Sequence, residues 1–153
     1  MWFTSSWFNQ LVENDISIFS TLQTLIVGGE KLSEFHIQKV LNAFPHVNII
    51  NGYGPTENTT FSLVYEINDK NSGTSIPIGR PLNNRSVYIL DSYNELVPVG
   101  IPGQIYLGGA GLSRGYLNQS VLTDEKFIKN PFSNGSETRL YATGDLGLSL
   151  IHI

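Results

Sequence analysis

Three polar side chains with distinct chemistry lie within one short glycine-rich stretch of the sequence. Residues 51–57 have the sequence Asn-Gly-Tyr-Gly-Pro-Thr-Glu and separate two apolar runs. Because glycine tolerates positive φ and proline fixes φ at about −65°, this stretch is predicted to be a turn. Tyr53 offers a ring for stacking, Thr56 a hydroxyl donor and Glu57 a carboxylate beside that donor. A solvated hairpin turn is the simpler alternative, but it does not require these three groups together.

A second candidate carboxylate, Asp145, lies in the sequence Thr-Gly-Asp-Leu, where an isolated aspartate is commonly only a turn residue. The glycines at 109 and 111 suggest a dinucleotide fingerprint, but the third, Gly115, comes one position late for it. Close packing of strand and loop is the better interpretation of these glycines. The three histidines show no metal-ligand spacing, and no phosphate-binding P-loop motif occurs in the sequence.

Composition excludes several classes of function. The 153 residues carry a net charge of −4 and no basic cluster, so we expect no nucleic-acid partner. The absence of cysteine excludes disulfides and thiolate chemistry and is compatible with a cytoplasmic protein. No apolar run approaches the roughly 18 residues that span a bilayer, and no basic signal segment opens the sequence, so we expect no membrane association.

The elements that position the first stretch are predicted to be strand, helix and strand. Residues 22–27 form an apolar strand that ends at Gly28-Gly29, and residues 47–50 form the next strand. Between them a helix is predicted from Ser33 to Pro45, because its apolar residues repeat with helical spacing. Such a unit joins parallel strands by a right-handed crossover, and ligands bind outside the carboxyl ends of such strands. An earlier helix is predicted around residues 7–12, capped by Thr4 or Ser5.

The rest of the chain has short strand-like runs separated by turn residues. These runs are residues 76–79, 87–90, 104–107 and 139–142, with one brief helix around 120–127 and a hairpin signal at Asn134-Gly135. This pattern predicts an antiparallel sheet, closing in part into a barrel. The predicted organisation is therefore an α/β part over 1–70, a β-rich part over 71–147 with the linker at 68–75, and an atypical tail over 148–153.

Four stretches together resemble the adenylate-forming enzymes, and most closely the amino-acid adenylation domains of nonribosomal peptide synthetases. Besides residues 51–57 these are 27–33 (Val-Gly-Gly-Glu-Lys-Leu-Ser), 108–117 (Gly-Gly-Ala-Gly-Leu-Ser-Arg-Gly-Tyr-Leu) and 141–146 (Tyr-Ala-Thr-Gly-Asp-Leu). They occur in the order and approximate spacing of that family. The resemblance implies a piece of the large N-terminal subdomain of such an enzyme, a ligase of secondary metabolite biosynthesis that binds ATP and magnesium.

The resemblance also implies roles for individual residues. Glu57 holds magnesium on ATP, Thr56 contacts the α-phosphate, and Asp145 hydrogen-bonds the ribose hydroxyls. Elementary electrostatics agrees, because a carboxylate about 4 Å from a phosphate charge is repelled by roughly 4 kcal/mol at an effective dielectric constant of ~20. A bridging Mg²⁺ converts that repulsion into attraction, and this cation prefers oxygen ligands. The adenine is implied to lie between Tyr53 and the backbone of Gly29 and Glu30, with Asn51 and Gly52 at its edge.

The substrate pocket implied by the resemblance is largely apolar with a small floor, and it does not identify the amino acid. Its residues match Trp2, Ile26, Gly28, Gly52, Thr60 and Phe61. The partners implied are the amino acid, ATP, neighbouring synthetase domains and a peptidyl carrier protein bearing phosphopantetheine. A fragment of a stand-alone acyl- or aryl-CoA synthetase and a non-catalytic nucleotide-binding module are the alternatives.

Three features depart from the family pattern. The upstream phosphate loop and the C-terminal subdomain with its catalytic lysine do not occur in these residues, so we expect the 153-residue chain alone to form no aminoacyl adenylate. Ala142 occupies a position where the family usually has arginine. Residues 148–153 do not match the expected continuation, and an artefactual tail is one explanation.

Overall fold

The computed structural model describes residues 1–68, 75–133, 135 and 137–149, and the chain divides into two compact units. The first unit comprises Met1–Tyr53 and Leu63–Arg80, and the second comprises Gly54–Ser62 and Pro81–Ile153. The linker predicted at 68–75 falls mostly outside the described residues, and the predicted boundary at 70/71 stays a prediction.

The first unit is built on a five-stranded sheet with the order β1-β2-β3-β4-β5. Strands β1, β2 and β3 are parallel, whereas β4 is antiparallel to β3. The parallel strand–helix–strand unit predicted from the sequence is therefore confirmed. The strands are β1 (Trp2–Thr4), β2 (Thr24–Gly28), β3 (Asn48–Tyr53), β4 (Leu63–Ile67) and β5 (Arg80–Pro81).

Two helices of this unit supply the apolar side chains that cover one face of the sheet. They are α1 (Ser5–Asn14) and α2 (Glu34–Ala43), and a 3-10 helix covers Ile16–Phe19. Thr4 and Ser33 are the N-cap residues, but neither side chain makes a capping hydrogen bond; the Ser33 hydroxyl contacts the His36 ring instead. The buried core includes Phe3, Phe8, Val12, Phe19, Leu25, Val27, Ile37, Val40 and Ile49.

Two local predictions in this unit are wrong. Residues 51–53 were predicted as part of a turn but continue β3, because they pair with β2 on one side and β4 on the other. Residues 76–79 were predicted as a strand but are irregular. Gly79 has φ +86°, which interrupts a regular strand, and the carbonyl of Pro77 accepts a hydrogen bond from the Asn51 side chain.

The second unit is built on an antiparallel four-stranded sheet with the order β6-β7-β9-β8. Within the described residues this sheet has two distinct edge strands, so it is not closed, and the predicted partial closure into a barrel is wrong. The runs predicted at 87–90, 104–107 and 139–142 and the short helix near 120–127 are confirmed as β6 (Arg85–Leu90), β7 (Pro102–Gly109), β9 (Arg139–Leu148) and α3 (Ser120–Lys126). The short strand β8 (Phe127–Lys129) was not predicted.

The hairpin predicted at Asn134-Gly135 depends on Asn134, which lies outside the described residues, although the flanking strands β8 and β9 do pair antiparallel. The predicted tail begins inside β9, since Leu148 pairs with Pro102, and the carbonyl of Ser149 accepts the Gly100 N–H at 3.0 Å. Residues 150–153 lie outside the described residues.

In the part of the chain that the structure describes, no helix has the length and apolar character needed to cross a membrane.

Candidate functional site

The carboxyl ends of β2 and β3 lie side by side in the first unit. Gly28 pairs with Gly52 in the parallel register, and β2 leads into Gly29, which has φ +89°. The turn that follows is tied to the start of α1, because the Ser6 hydroxyl donates to Glu30 Oε2 at 2.6 Å. The two glycine positions that sequence analysis assigned to one edge of the sheet are thus neighbours.

Four of the six predicted pocket residues share one face of this sheet. Trp2 in β1 is the register partner of Ile26 in β2. Gly28 lies two residues after Ile26 in β2, and its register partner in β3 is Gly52. Because side chains alternate across a strand, positions two apart lie on the same face, opposite the helix-covered core. The remaining two predicted residues, Thr60 and Phe61, belong to the second unit.

Asn51 and Tyr53 alternate with Gly52 and therefore lie on the other face of β3. The Asn51 side chain is buried, and its Nδ2 donates to the carbonyl of Pro77 at 2.8 Å. This amide consequently holds the irregular segment before β5 against β3. Its contact with adenine stays a prediction, as does the stacking role of Tyr53 at the end of the strand.

In the second unit, the loop that carries Thr56 and Glu57 is fastened to the glycine-rich stretch. Residues Thr56–Asn58 form a 3-10 helix. The Ser113 N–H donates to the Glu57 carbonyl at 2.7 Å, and the Thr59 hydroxyl donates to the carbonyl of Gly111 at 2.7 Å. A third bond runs from the buried Asn58 Nδ2 to the Gly108 carbonyl at 3.2 Å. We call this arrangement of residues 56–59 on residues 108–116 the loop clamp.

The glycines of this stretch lie where a side chain would collide with neighbouring atoms. Gly109 has φ +97°, and a Cβ at this position would lie 2.2 Å from the carbonyl oxygen of Asn84. A Cβ at Gly111 would lie 1.7 Å from the Arg85 side chain, and one at Gly115 would lie 2.4 Å from the Thr123 side chain. These distances support the interpretation of the three glycines as packing residues.

The Glu57 side chain is half-buried and hydrogen-bonded to a tyrosine of the clamp. Tyr116 Oη donates to Glu57 Oε1 at 2.5 Å, and Tyr141 Oη lies 3.3 Å from Tyr116 Oη. Burial raises the pKa of Glu57, but hydrogen bonds from Tyr116, its own N–H and Tyr141 outweigh that effect and leave the pKa below its usual value. The carboxylate is thus ionised at neutral pH.

Both tyrosines remain protonated beside this carboxylate. Burial, and then the hydrogen bond to Glu57, raise the pKa of Tyr116. Burial, followed by the hydrogen bonds with Tyr116 and Glu57, raises the pKa of Tyr141 as well. Both tyrosines lie within the stretches that resemble the family, but neither was assigned a role from the sequence. The available signals were a tyrosine directly after Gly115 and a tyrosine within the predicted strand at 139–142.

Asp145 lies in a bulge of β9. Tyr106 pairs with Ala142 and Gln104 pairs with Leu146, so three residues of β9 face the single residue Ile105. The Thr143 hydroxyl donates to the Ile105 carbonyl at 2.8 Å and accepts the Asp145 N–H at 3.0 Å. Bulges of this kind redirect a side chain and increase the local twist. The bulge leaves Asp145 exposed at the strand surface.

No three His, Asp or Glu side chains within residues 1–68, 75–133, 135 and 137–149 lie close enough to form a metal cage. The candidate metal ligand is thus a single ionised carboxylate, Glu57, on a loop held by backbone and side-chain bonds. A single protein carboxylate suits Mg²⁺, which is commonly held by one or two carboxylates together with substrate phosphates.

Comparison with known proteins places these features in a family. The family profile described as AMP-binding enzyme matches residues 1–117. The chain belongs to this family. Within the AMP-binding enzymes, it is 51% identical over 95% of its length to gramicidin S synthase 2 of Brevibacillus brevis and to tyrocidine synthase 3 of Brevibacillus parabrevis. The chain covers 3% and 2% of the lengths of these two relatives.

A solved structure of an NRPS protein containing adenylation and PCP domains matches 96% of this AMP-binding chain with a TM-score of 0.89 and 36% identity, and the chain covers 30% of that protein. These similarities confirm the prediction of a piece of an adenylation domain of the nonribosomal peptide synthetase type. They also confirm the α/β class with a parallel sheet followed by an antiparallel one.

Proposed function

We propose that this chain is the part of an amino-acid adenylation domain that holds the nucleotide and its metal. In the complete domain, an oxygen of the amino-acid carboxylate forms a bond to the α-phosphorus of ATP. The bond from that phosphorus to the bridging oxygen breaks, and pyrophosphate leaves. The acyl group then passes to the phosphopantetheine thiol of a carrier protein, with release of AMP. A cytoplasmic location goes with this proposal, because the reaction consumes ATP.

The observation that carries the proposal is the fixed, ionised carboxylate of Glu57 in a chain of the AMP-binding family. Magnesium bound there would neutralise phosphate charge and fix the orientation of the triphosphate. Positioning and electrostatic stabilisation provide most of the rate enhancement in phosphoryl chemistry of this type. Beside this carboxylate, Thr56 would supply a hydroxyl to the α-phosphate, and Asp145 would accept hydrogen bonds from the ribose.

The residues of the first unit complete the proposal. Tyr53 would stack on the adenine, Asn51 and Gly52 would contact its edge, and the backbone of Gly29 and Glu30 would cover its other side. The shared face that carries Trp2, Ile26, Gly28 and Gly52 supports an apolar amino-acid pocket with a small floor. Thr60 and Phe61, which belong to the second unit, are proposed to contact the amino acid in the complete domain.

Amino-acid-dependent exchange of pyrophosphate into ATP tests this function in the complete domain that encloses the chain. We expect exchange with one or a few amino acids that have apolar side chains, and loss of most of it in Glu57→Gln. Exchange that occurs only with aryl or fatty acids would instead support a CoA synthetase. Tight ATP binding without exchange for any acid would support a nucleotide-binding module.

A further inference from the structure

We infer that Tyr116 is the positioning residue of the Glu57 carboxylate, and that Tyr141 acts behind it by orienting the Tyr116 hydroxyl. This inference rests on the proposed function, because it concerns the carboxylate assigned to the metal. It gives a role to Tyr116, the tyrosine of the glycine-rich stretch. The close packing of the glycines does not explain the presence of a tyrosine there.

The direction of the hydrogen bonds follows from proton counting. A tyrosine hydroxyl has one proton, and an ionised carboxylate can only accept. Tyr116 therefore gives its proton to Glu57 Oε1 at 2.5 Å. The 3.3 Å contact between the two hydroxyls is then a bond in which Tyr141 donates and Tyr116 accepts. Tyr141 therefore interacts with the Tyr116 hydroxyl as well as with Glu57 itself, and Tyr116 makes the short bond to the carboxylate.

Both tyrosines are held by the elements around them. Tyr141 is buried in β9, where it is the register partner of Leu107 on one side and Phe127 on the other. The Tyr116 backbone N–H donates to the Thr123 hydroxyl at 2.9 Å, and its ring packs edge-on against Phe127 at 5.7 Å. These contacts restrict the positions that the two hydroxyls can occupy.

Glu57 is held from the same stretch at a second point. The Ser113 N–H binds its carbonyl oxygen, while Tyr116, three residues later, binds its side chain. Two bonds from one short segment hold both the backbone and the carboxylate of a single residue. A charged group held in this way loses little freedom when a cation binds, which is the advantage of preorganisation.

Tyr88 provides a matched control within the same unit. Its hydroxyl also donates to a carboxylate, Glu137 Oε2, at 3.1 Å, and its ring stacks on Phe132 at 5.3 Å. Tyr88→Phe therefore removes the same kind of bond from the same sheet. It leaves Glu57 untouched, so it measures the general structural effect of such a change.

The test uses the complete adenylation domain, with Mn²⁺ as a paramagnetic substitute for Mg²⁺. Electron paramagnetic resonance measures Mn²⁺ binding in the presence of a non-hydrolysable ATP analogue. Because loss of a hydrogen bond to a charged group corresponds to a factor of about 10 or more, we expect Tyr116→Phe to weaken Mn²⁺ binding about 10-fold. Tyr141→Phe should weaken it less, by about 3-fold, and Tyr88→Phe should leave it unchanged.

Steady-state exchange kinetics provide the second measurement. Tyr116→Phe should raise the Mg²⁺ concentration for half-maximal activity and lower kcat, while the KM for the amino acid stays at the wild-type value. Wild-type Mn²⁺ affinity and kinetics in Tyr116→Phe, with Glu57→Gln impaired, would overturn the inference and leave the proposed function standing. Wild-type behaviour of Glu57→Gln would overturn the metal assignment, and the inference with it. Equal losses in Tyr88→Phe and Tyr116→Phe would show a structural effect only and would also overturn the inference.

Discussion

Glu57 and Asp145, the two carboxylates proposed to contact ATP, are held by the fold in different ways. Glu57 is half-buried and clamped at its carbonyl and its side chain, whereas Asp145 is exposed in a bulge that Thr143 stabilises. A clamped group suits an interaction that must be aligned with developing charge. An exposed group in a bulge suits a contact that persists unchanged through the reaction.

This difference predicts separate kinetic effects in the complete domain. Glu57→Gln should lower kcat and raise the Mg²⁺ requirement, because the metal contact follows the phosphate charge. Asp145→Ala should raise the KM for ATP by about 10-fold with little change in kcat. The lost ribose contact is equally strong in the ground state and in the transition state, so only ATP binding becomes weaker. Asp91→Ala is the control, since Asp91 Oδ1 only accepts the N–H groups of Tyr93 and Glu95 within a turn. Wild-type kcat and KM for ATP in both site variants would refute the assignment.

At the scale of elements, the sequence predicts those helices and strands whose apolar residues repeat with a regular period. The helices α1 and α2 and the strands β2 and β3 follow from apolar spacing between turn residues. The bulge of β9 does not, because Thr-Gly-Asp has the composition of an ordinary turn and the register depends on β7. The roles of Tyr116 and Tyr141 were also missed, since the contact with Glu57 joins residues 59 positions apart in the chain.

The irregular backbone at Gly79 was predicted wrongly, whereas the turn at Gly29 was predicted correctly, and these two positive-φ glycines allow a matched test. Gly29 and Gly79 have φ of +89° and +86°. A Cβ at Gly29 would meet nothing within 4 Å, whereas one at Gly79 would lie 1.9 Å from the Val64 carbonyl oxygen. The two positions therefore carry the same backbone strain, and only Gly79 adds a clash with the backbone of β4.

We expect Gly29→Ala to lower the free energy of unfolding of the complete domain by about 1 kcal/mol, which is the cost of a side chain at positive φ. Gly79→Ala should lower it by about 3 kcal/mol, because overpacking against a fixed strand adds about 2 kcal/mol. Urea denaturation of the two variants beside the wild type measures both values. Equal losses would mean that the segment before β5 relaxes away from β4, contrary to the packing described.

At the scale of the whole chain, the sheet of the first unit carries an exposed aromatic side chain on the face opposite its helices. Its helices bury Phe3, Val27 and Ile49, while Trp2 on the opposite face is 48% exposed in the edge strand β1. Parallel sheets are normally covered on both faces, and open edges promote pairing with other chains. The second unit depends less on distant residues, because β6 with β7 and β8 with β9 are successive antiparallel pairs.

We therefore expect the isolated 153-residue chain to self-associate, with slower amide hydrogen exchange after about residue 75 than before it. Exchange mass spectrometry and light scattering measure the two properties. Uniform protection in a monodisperse monomer would contradict the expectation. It would also favour the alternative of a stable nucleotide-binding module, which requires a compact fold.

A pair of lysine variants tests whether β1 and its open face cause this association. Trp2→Lys places a charge on the edge strand, where lysine opposes strand pairing. Phe35→Lys changes a side chain that is 66% exposed on α2, outside the sheet. Because only the first change alters the edge, we expect Trp2→Lys to raise the soluble, monomeric fraction of the isolated chain well above that of Phe35→Lys. Equal improvement by both variants would mean that general surface hydrophobicity, rather than the open sheet, drives the association.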